Sequence, residues 1–372
     1  MKITLNKKEF LKELEKIIPI ALSKNEAIMS QNVLIECLKN RIKITASNPI
    51  DSLVTYCNAI IEEPLDMCIP ANKLFEIINS FSNDSIIVKS DNEYNLKISD
   101  KKSKFSLKGS SAEEFTYTII QHDDNSNKIE MNVDMLSDMI RKTIYAVSVD
   151  QSRYNLMGIN FDINKNIIKT CATNGRVISL IKNNINYNGE NEVFIIGTNS
   201  CLSLLKLLSK TKGDLSIIKK NNNIIFNIEE TIFITKTIDG KFPDITRMIP
   251  KKFNEKIIIN KQVFESIHRR SLIVKEQTQI GQMIATFKDN KVIFESRSLS
   301  MSNLCFNEEM DVNYNGDELK ISYQIEYILD FLKNSVENEI ILNYNGSINP
   351  FMLTQNIENN NYLNIVSPMR IS

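Results

Sequence analysis

The sequence predicts an α+β protein built from repeated units, on three observations. A short alternating run feeding at once into an amphipathic helix occurs six times. The starts of these segments lie roughly 61 to 66 residues apart, a period that indicates duplicated supersecondary units. Several β-like runs separate one helix from the next, which favours antiparallel sheets over a parallel α/β arrangement. Paired two by two, the units give three domains, each with two helices and two antiparallel sheets.

The first unit is Met1–Ile18, MKITLNKKEFLKELEKII. Ile3 and Leu5 share a strand face, and Phe10, Leu14 and Ile17 then recur at helical spacing. The second is Asp66–Phe81, with Leu74, Ile78 and Phe81 on one helical side, and the third is Lys128–Thr143, with Leu136, Met139 and Ile140. Glu192–Lys210 carries Leu204, Leu205 and Leu208; Glu255–Ser271 carries Val263, Phe264 and Ile267; Asp317–Lys333 carries Ile325, Ile328, Leu329 and Leu332. Between them, runs such as Arg41–Ala46, Ser85–Lys89, Ile167–Ala172, Ile224–Ile228 and Glu339–Asn343 read as strands bounded by turn residues. The polar stretches Gln121–Asn127 and Pro250–Glu255 read as linkers, so the expected domains are 1–124, 125–252 and 253–372.

A chain of 372 residues exceeds what one core usually serves. Its 42% hydrophobic and 24% charged residues are those of an ordinary soluble protein, and no run approaches the ~18 apolar residues of a membrane span. Lys7, Lys8, Glu9 and Lys12 interrupt any signal-peptide core, so a cytoplasmic protein with no membrane partner is expected. Six scattered cysteines without a CxxC read as free thiols. Forty-five basic residues balance forty-five acidic ones, which argues against a protein coated all over by nucleic acid but leaves room for one basic face.

The helical segments do lean basic. Lys8, Lys12 and Lys16 lie on the first, with Lys24 just beyond it; Lys73 lies on the second, Arg141 and Lys142 on the third, Lys206 and Lys210 on the fourth, and Arg269 on the fifth. Taken singly, each is a solvated helix face. Aimed at one place by fold symmetry, they would line a channel for a phosphate backbone.

Four further stretches occur in a telling order: RYNLMG at Arg153–Gly158, TNGRVI at Thr173–Ile178, GKFPDITRMIP at Gly240–Pro250, and the closing YLNIVSPMRI at Tyr362–Ile371. Together, and across essentially the whole chain, they resemble the bacterial DNA polymerase III beta subunit family, the sliding clamps. The resemblance implies three clamp domains per chain and a head-to-tail homodimer that forms a ring around duplex DNA, bound without regard to sequence, with the ten basic residues above as DNA-facing candidates. Implied partners are the DNA polymerase III alpha subunit, a clamp loader ATPase and other proteins bearing a clamp-binding motif. The implied partner pocket uses Leu156, Thr173, Gly175, Arg176, Val177 and Ile178 from the middle of the chain, then Pro243, Arg247 and Met248. Ile365, Ser367, Pro368, Met369 and Arg370 complete it. The implied dimer contact pairs Phe105 and Leu107 with Leu272 and Ile273, which the residue pattern alone would equally place in a core.

The chain departs from the family pattern where Val177 occupies the position of an arginine and Ser367 that of a methionine, so an altered partner preference is expected. Two alternatives stay open from the sequence: a divergent accessory clamp, and a peptide-binding scaffold that ignores DNA. Catalysis is not expected. His122 and His268 lack a Ser/Asp or Cys partner at a motif spacing, Asp123 and Asp124 sit in a polar linker, and no GxxxxGK[ST] or GxGxxG occurs. No cofactor or metal follows from the residues.

Overall fold

The structure, a computed structural model, describes residues 1–21, 31–115, 128–250, 252–275, 280–298, 304–355 and 361–371. Lys24, His122, Asp123, Asp124 and the expected linker Gln121–Asn127 lie outside the described residues. The six predicted helices are present: α1 (Lys7–Ala21), α2 (Ala71–Ser80), α3 (Val133–Ile144), α4 (Thr198–Leu208), α5 (Lys261–Ser271) and α6 (Ile325–Lys333). Each follows directly on a strand: Lys2–Asn6, Met67–Pro70, Ile129–Asn132, Glu192–Gly197, Glu255–Asn260 and Leu319–Gln324.

Alternate units share a way of starting their helix. Asn6, Asn132 and Asn260 each end a strand, and each side-chain oxygen accepts from a backbone N–H of the first turn, of Lys8, Asp134 and Val263 at 2.9, 2.8 and 3.1 Å. These bonds satisfy donors that a helix start leaves unpaired, worth about 1 kcal/mol each. Before α2 and α6 stand Pro70 and Gln324, neither of which makes a side-chain cap. The repeat is therefore a pair of unlike strand–helix units used three times.

The contacts divide the chain into two compact units. One comprises Met1–Ser137, Ile185–Gly189 and Asn199–Thr237; the other comprises Asp138–Asn184, Glu190–Thr198 and Ile238–Ser372. These bounds depart from the expected linkers because strand pairing runs on between distant stretches of sequence. In the first unit Thr231–Lys236 pairs with the long strand Asp51–Glu63, Ile232 opposite Val54. In the second, Val177–Asn184 pairs with Tyr362–Val366, Val177 opposite Val366. Among the described residues all strand pairs are antiparallel; there the first unit holds a thirteen-stranded sheet, the second an eight-stranded and a four-stranded one.

In the first unit α1 packs on α2, with Phe10, Leu14, Ile17, Leu74 and Ile78 buried, each contributing on the order of 1.5–3 kcal/mol by leaving water. A polar cluster lies beside this core. Lys16 Nζ donates to Glu13 Oε2 at 2.7 Å and to Thr231 Oγ1 at 3.3 Å, and Thr55 hydrogen-bonds both Glu13 and Thr231. Lys16 is thus buried, which corrects the expectation that it faces DNA: its ammonium ties α1 to the strand Thr231–Lys236.

In the second unit α5 packs on α6, burying Phe264, Ile267, Ile325, Ile328, Leu329 and Leu332. Val263, expected on the same stripe, is exposed in the first turn of α5, next to the buried Phe264. His268 sits wholly inside. Its Nδ1 donates to the Phe264 carbonyl at 2.7 Å, its Nε2 accepts from the Tyr323 hydroxyl at 2.9 Å, and the two rings stack. Burial lowers the imidazole pKa to about 4, so the ring is neutral. Below the ordinary histidine pKa of about 6.5 the unfolded chain takes up a proton that the folded chain refuses. Stability should therefore fall as pH drops from about 6.5 towards 4, by at most about 3 kcal/mol from this group. Nuclear magnetic resonance titration should find the His268 ring unprotonated at pH 5.5; a midpoint near 6.5 would contradict the buried neutral ring.

Candidate partner-binding cleft

The second unit carries two neighbouring clefts. The larger, about 290 Å³, is lined by Gly175, Arg176, Ile178, Arg247, Met248 and Ile365, with Pro250, Pro350 and Ser367 at its margins. The smaller, about 240 Å³, is lined by Arg176, Gln324, Tyr327 and the terminal run Ser367–Arg370.

Strand alternation builds the floor. Ile178 stands opposite Ile365, and together with Cys171 they form a buried apolar cluster. Phe242, Ile245, Ile249 and Met352 pack against it, half-buried. The Cys171 thiol is pushed far above its ordinary pKa by burial and behaves as a small apolar group.

The turn before Ile178 is held from within. Thr173 Oγ1 donates to the Val177 carbonyl at 2.7 Å and accepts from Gly175 N at 3.0 Å. Asn174 Oδ1 accepts from Arg176 N at 2.9 Å, and its Nδ2 donates to the Tyr327 hydroxyl at 3.0 Å. Gly175 has φ +88°, a left-handed conformation that favours glycine, while the nearest atom to a Cβ there, Arg153 Nη1 at 2.9 Å, is the movable end of a flexible side chain. The C-terminal run is fastened by Ser367 N to the Arg176 carbonyl at 2.8 Å and by Met369 N to the Ser322 carbonyl at 2.7 Å.

The predicted pocket residues therefore separate by role. Gly175, Arg176, Ile178, Arg247, Met248, Ile365, Ser367, Pro368, Met369 and Arg370 line one cleft or the other. Thr173 is buried and shapes the turn, Leu156 is buried apart from both linings, and Pro243 is exposed outside them. Val177 is a correction. It is fully buried opposite Val366, so the side chain that reaches the clefts from this strand end is its neighbour Arg176. Gln324, Tyr327, Pro250 and Pro350 were missed; the turn bond from Asn174 to Tyr327 has no signature in linear spacing.

The basic candidates also separate. Lys8, Lys12, Lys73, Arg141, Lys206, Lys210 and Arg269 are exposed. Lys73 is bound to Glu76 at 2.9 Å, Arg269 to Glu265 at 3.0 Å, and Lys210 to Glu15. Lys142 is a second correction: it is buried, 2.8 Å from Asp138 Oδ2, with its ammonium over the Tyr362 ring. Phe105 and Ile273, candidates for the dimer contact, are 39% and 76% exposed, so neither is core; Leu107 and Leu272 are half-buried. Among the described residues no group of three His, Cys, Asp or Glu side chains could hold a metal ion.

Repeated strand–helix units on continuous antiparallel sheets, with an apolar-floored surface cleft, are the architecture of clamp-type binding proteins. The family models agree: those for the N-terminal, central and C-terminal domains of the DNA polymerase III beta subunit match residues 1–120, 130–244 and 246–370. The chain belongs to the DNA polymerase III beta subunit family, the sliding clamps, which are non-catalytic processivity factors of DNA replication. A beta sliding clamp of Staphylococcus aureus is 24% identical over 95% of both chains, and that of Haemophilus influenzae is 23% identical over the full length of both. The solved DNA polymerase sliding clamp of Bacillus subtilis superposes with a TM-score of 0.92 over 100% of both chains, at 21% identity. A Pseudomonas aeruginosa DnaN sliding clamp bound to griselimycin gives 0.91 over 100% of both, at 22% identity.

The buried position of Val177 yields a test. Val177→Arg should not create a cleft arginine; it should force a guanidinium into the sheet interior and cost more than about 3 kcal/mol. Arg176→Ala should stay within about 0.5 kcal/mol of wild type. Urea unfolding of the two variants separates these outcomes.

Proposed function

We propose that this chain works as a ring of two copies joined head to tail, closed around duplex DNA, and that its clefts tether the DNA polymerase III alpha subunit and other proteins bearing a clamp-binding motif. The domains are 1–124, 125–252 and 253–372, close to the ranges of the three family matches. One observation carries the reading: a chain matched by the clamp family from end to end also presents apolar residues beside open sheet edges, as a second copy would require. Lys104–Lys108 is the last strand of its sheet, with Phe105 exposed, and Cys305–Asp311 is an outer strand of the four-stranded sheet. The first edge carries Lys104 and Lys108 and no acid; the second carries Glu308, Glu309 and Asp311 and no base. Pairing the two would satisfy unused backbone groups and set Lys104 and Lys108 against an acidic edge on which Glu308 and Glu309 already share charge with Arg270 and Lys291.

Retention on DNA is then topological. The exposed Lys8, Lys12, Lys73, Arg141, Lys206, Lys210 and Arg269 need only contact phosphates weakly, and several already share their charge with a neighbouring carboxylate. A ring without a nucleotide site of its own needs a clamp loader ATPase to open it. Loading takes place in the cytoplasm; no described helix is long and apolar enough to cross a membrane.

With a loader and ATP, the protein should stay on nicked circular DNA and run off once the circle is cut. Equal retention on linear and circular DNA would rule out a closed ring. Deleting Pro368 to Ser372 should weaken binding of clamp-motif peptides at least tenfold, since Pro368, Met369 and Arg370 line the smaller cleft, while sedimentation still reports a dimer. Unchanged peptide affinity would remove the cleft from the reading.

A further inference from the structure

In the first unit the strand Lys2–Asn6 has a neighbour on each edge, Asp51–Glu63 and Ser85–Ser90. Leu5 stands opposite Ala59 and Ile86, and all three are buried, so the alternate residues face away from the core. Register arranges these outward residues in two rows. Ile60, Thr4 and Ile87 lie side by side in the first, with Ile60 67% and Ile87 36% exposed. Two residues further along their strands come Asn58, Asn6 and Ser85, polar and exposed. Beyond them stand Glu9, in the first turn of α1, and Asp84. Both carboxylates line a cleft of about 390 Å³ that also takes in Thr4, Asn40, Asn58 and Ile60. That lining holds no lysine, arginine or histidine, and Glu9 has no cationic partner among the described residues. Asp84 lies 3.7 Å from Lys8 with both side chains largely exposed, a pairing weak enough to be exchanged. The side-chain amides of Asn40 and Asn58 are exposed and make no hydrogen bond among the described residues.

We propose that this sheet face docks a basic segment of a partner protein, an extended stretch with an apolar side chain and, two residues on, a lysine or arginine. In an extended chain such side chains project to one side about 7 Å apart, which is the spacing of the two rows. The apolar side chain covers Ile60 and Ile87. The basic one lays its aliphatic stem over the amide row and brings its charge to Glu9 and Asp84. Both edges of Lys2–Asn6 are already paired, so the segment lies across the face and adds no strand. Charge decides the class of partner: two carboxylates with no base in the lining attract an ammonium or guanidinium and repel a phosphate backbone. The site is independent of the two clefts described above, whose residues belong to the second unit.

The test uses the full-length protein with labelled isoleucine methyl groups and two end-blocked peptides, Ser-Gly-Leu-Ser-Arg-Gly-Ser and the same sequence with Gln for Arg. Nuclear magnetic resonance titration should show the Ile60 and Ile87 methyl signals moving saturably with the Arg peptide. Its affinity should exceed that of the Gln peptide at least about fivefold, and the advantage should shrink as salt rises. Glu9→Gln with Asp84→Asn should abolish the advantage of Arg over Gln, and Ile60→Thr should weaken both peptides. The wild-type comparison of the two peptides decides the charge selection even where the double variant folds poorly. Neither methyl moving with up to about 5 mM peptide, a range that reaches millimolar dissociation constants, would overturn the docking face. Equal affinities of the Arg and Gln peptides would overturn the selection by Glu9 and Asp84. Shifts confined to Ile178, on the floor of the larger cleft, would overturn the location. Spermidine moving the same methyls as strongly and displacing the Arg peptide would overturn a protein segment in favour of a small polycation.

Discussion

The candidate site depends on one antiparallel pairing, that of Val177–Asn184 with Tyr362–Val366. Its register places Ile178 beside Ile365 on the cleft side and Val177 beside Val366 in the interior. The bond from Ser367 N to the Arg176 carbonyl then carries the chain past the strand end, so that Pro368, Met369 and Arg370 arrive alongside Arg176. A slip of one residue would exchange the two faces, burying the isoleucines and offering valines to the cleft. The other face of the same strand guards against it: Asn364 Nδ2 donates to the Tyr145 hydroxyl, which also bonds the Tyr362 hydroxyl. The Asn364 amide nitrogen and the two tyrosine hydroxyls have partners in this register and would lose them in the next.

How much of this the sequence disclosed follows from the range of each interaction. The six helices came from apolar spacing within a turn or two, and their order in the structure is the predicted one. Strands such as Ile167–Thr173 and Asn223–Ile228 came within a residue of their predicted ends. The cleft was legible through the motifs at Thr173–Ile178, Gly240–Pro250 and the C-terminus, but the orientation of single side chains was not. Arg176 and Val177 differ by one position, and strand alternation sends one outward and the other inward. Tyr327 joins the site through a hydrogen bond spanning 153 residues, which no local pattern encodes. Lys16 and Lys142 misled for a related reason. Each sits on the basic side of an amphipathic helix, yet a carboxylate one turn earlier and a partner from a distant strand make burial tolerable.

Burying an ammonium is costly unless its donors are matched. Around Lys16 they are matched by Glu13 and Thr231, with Thr55 completing the circuit. Such a cluster adds less to stability than well-packed apolar groups of the same volume, but it fits one arrangement of α1 against the strand Thr231–Lys236. At the surface, Lys210 pairs with Glu15 of α1, and Arg41 at the start of the strand Arg41–Ser47 pairs with Glu230, just before Thr231.

The two open edges also discriminate against error. Two lysine-bearing edges brought together would align like charges, whereas on the acidic edge Glu308 and Glu309 are already paired with Arg270 and Lys291. In the proposed ring, the lysine edge of one copy would thereby be repelled by the same edge of another before any backbone hydrogen bond forms, which would give assembly a direction. On that reading, the same repulsion would act as a kinetic filter wherever many copies with unpaired edges meet. Mispaired encounters would dissociate early, and an edge kept available for its mate in the ring would be kept from becoming a seed for aggregation.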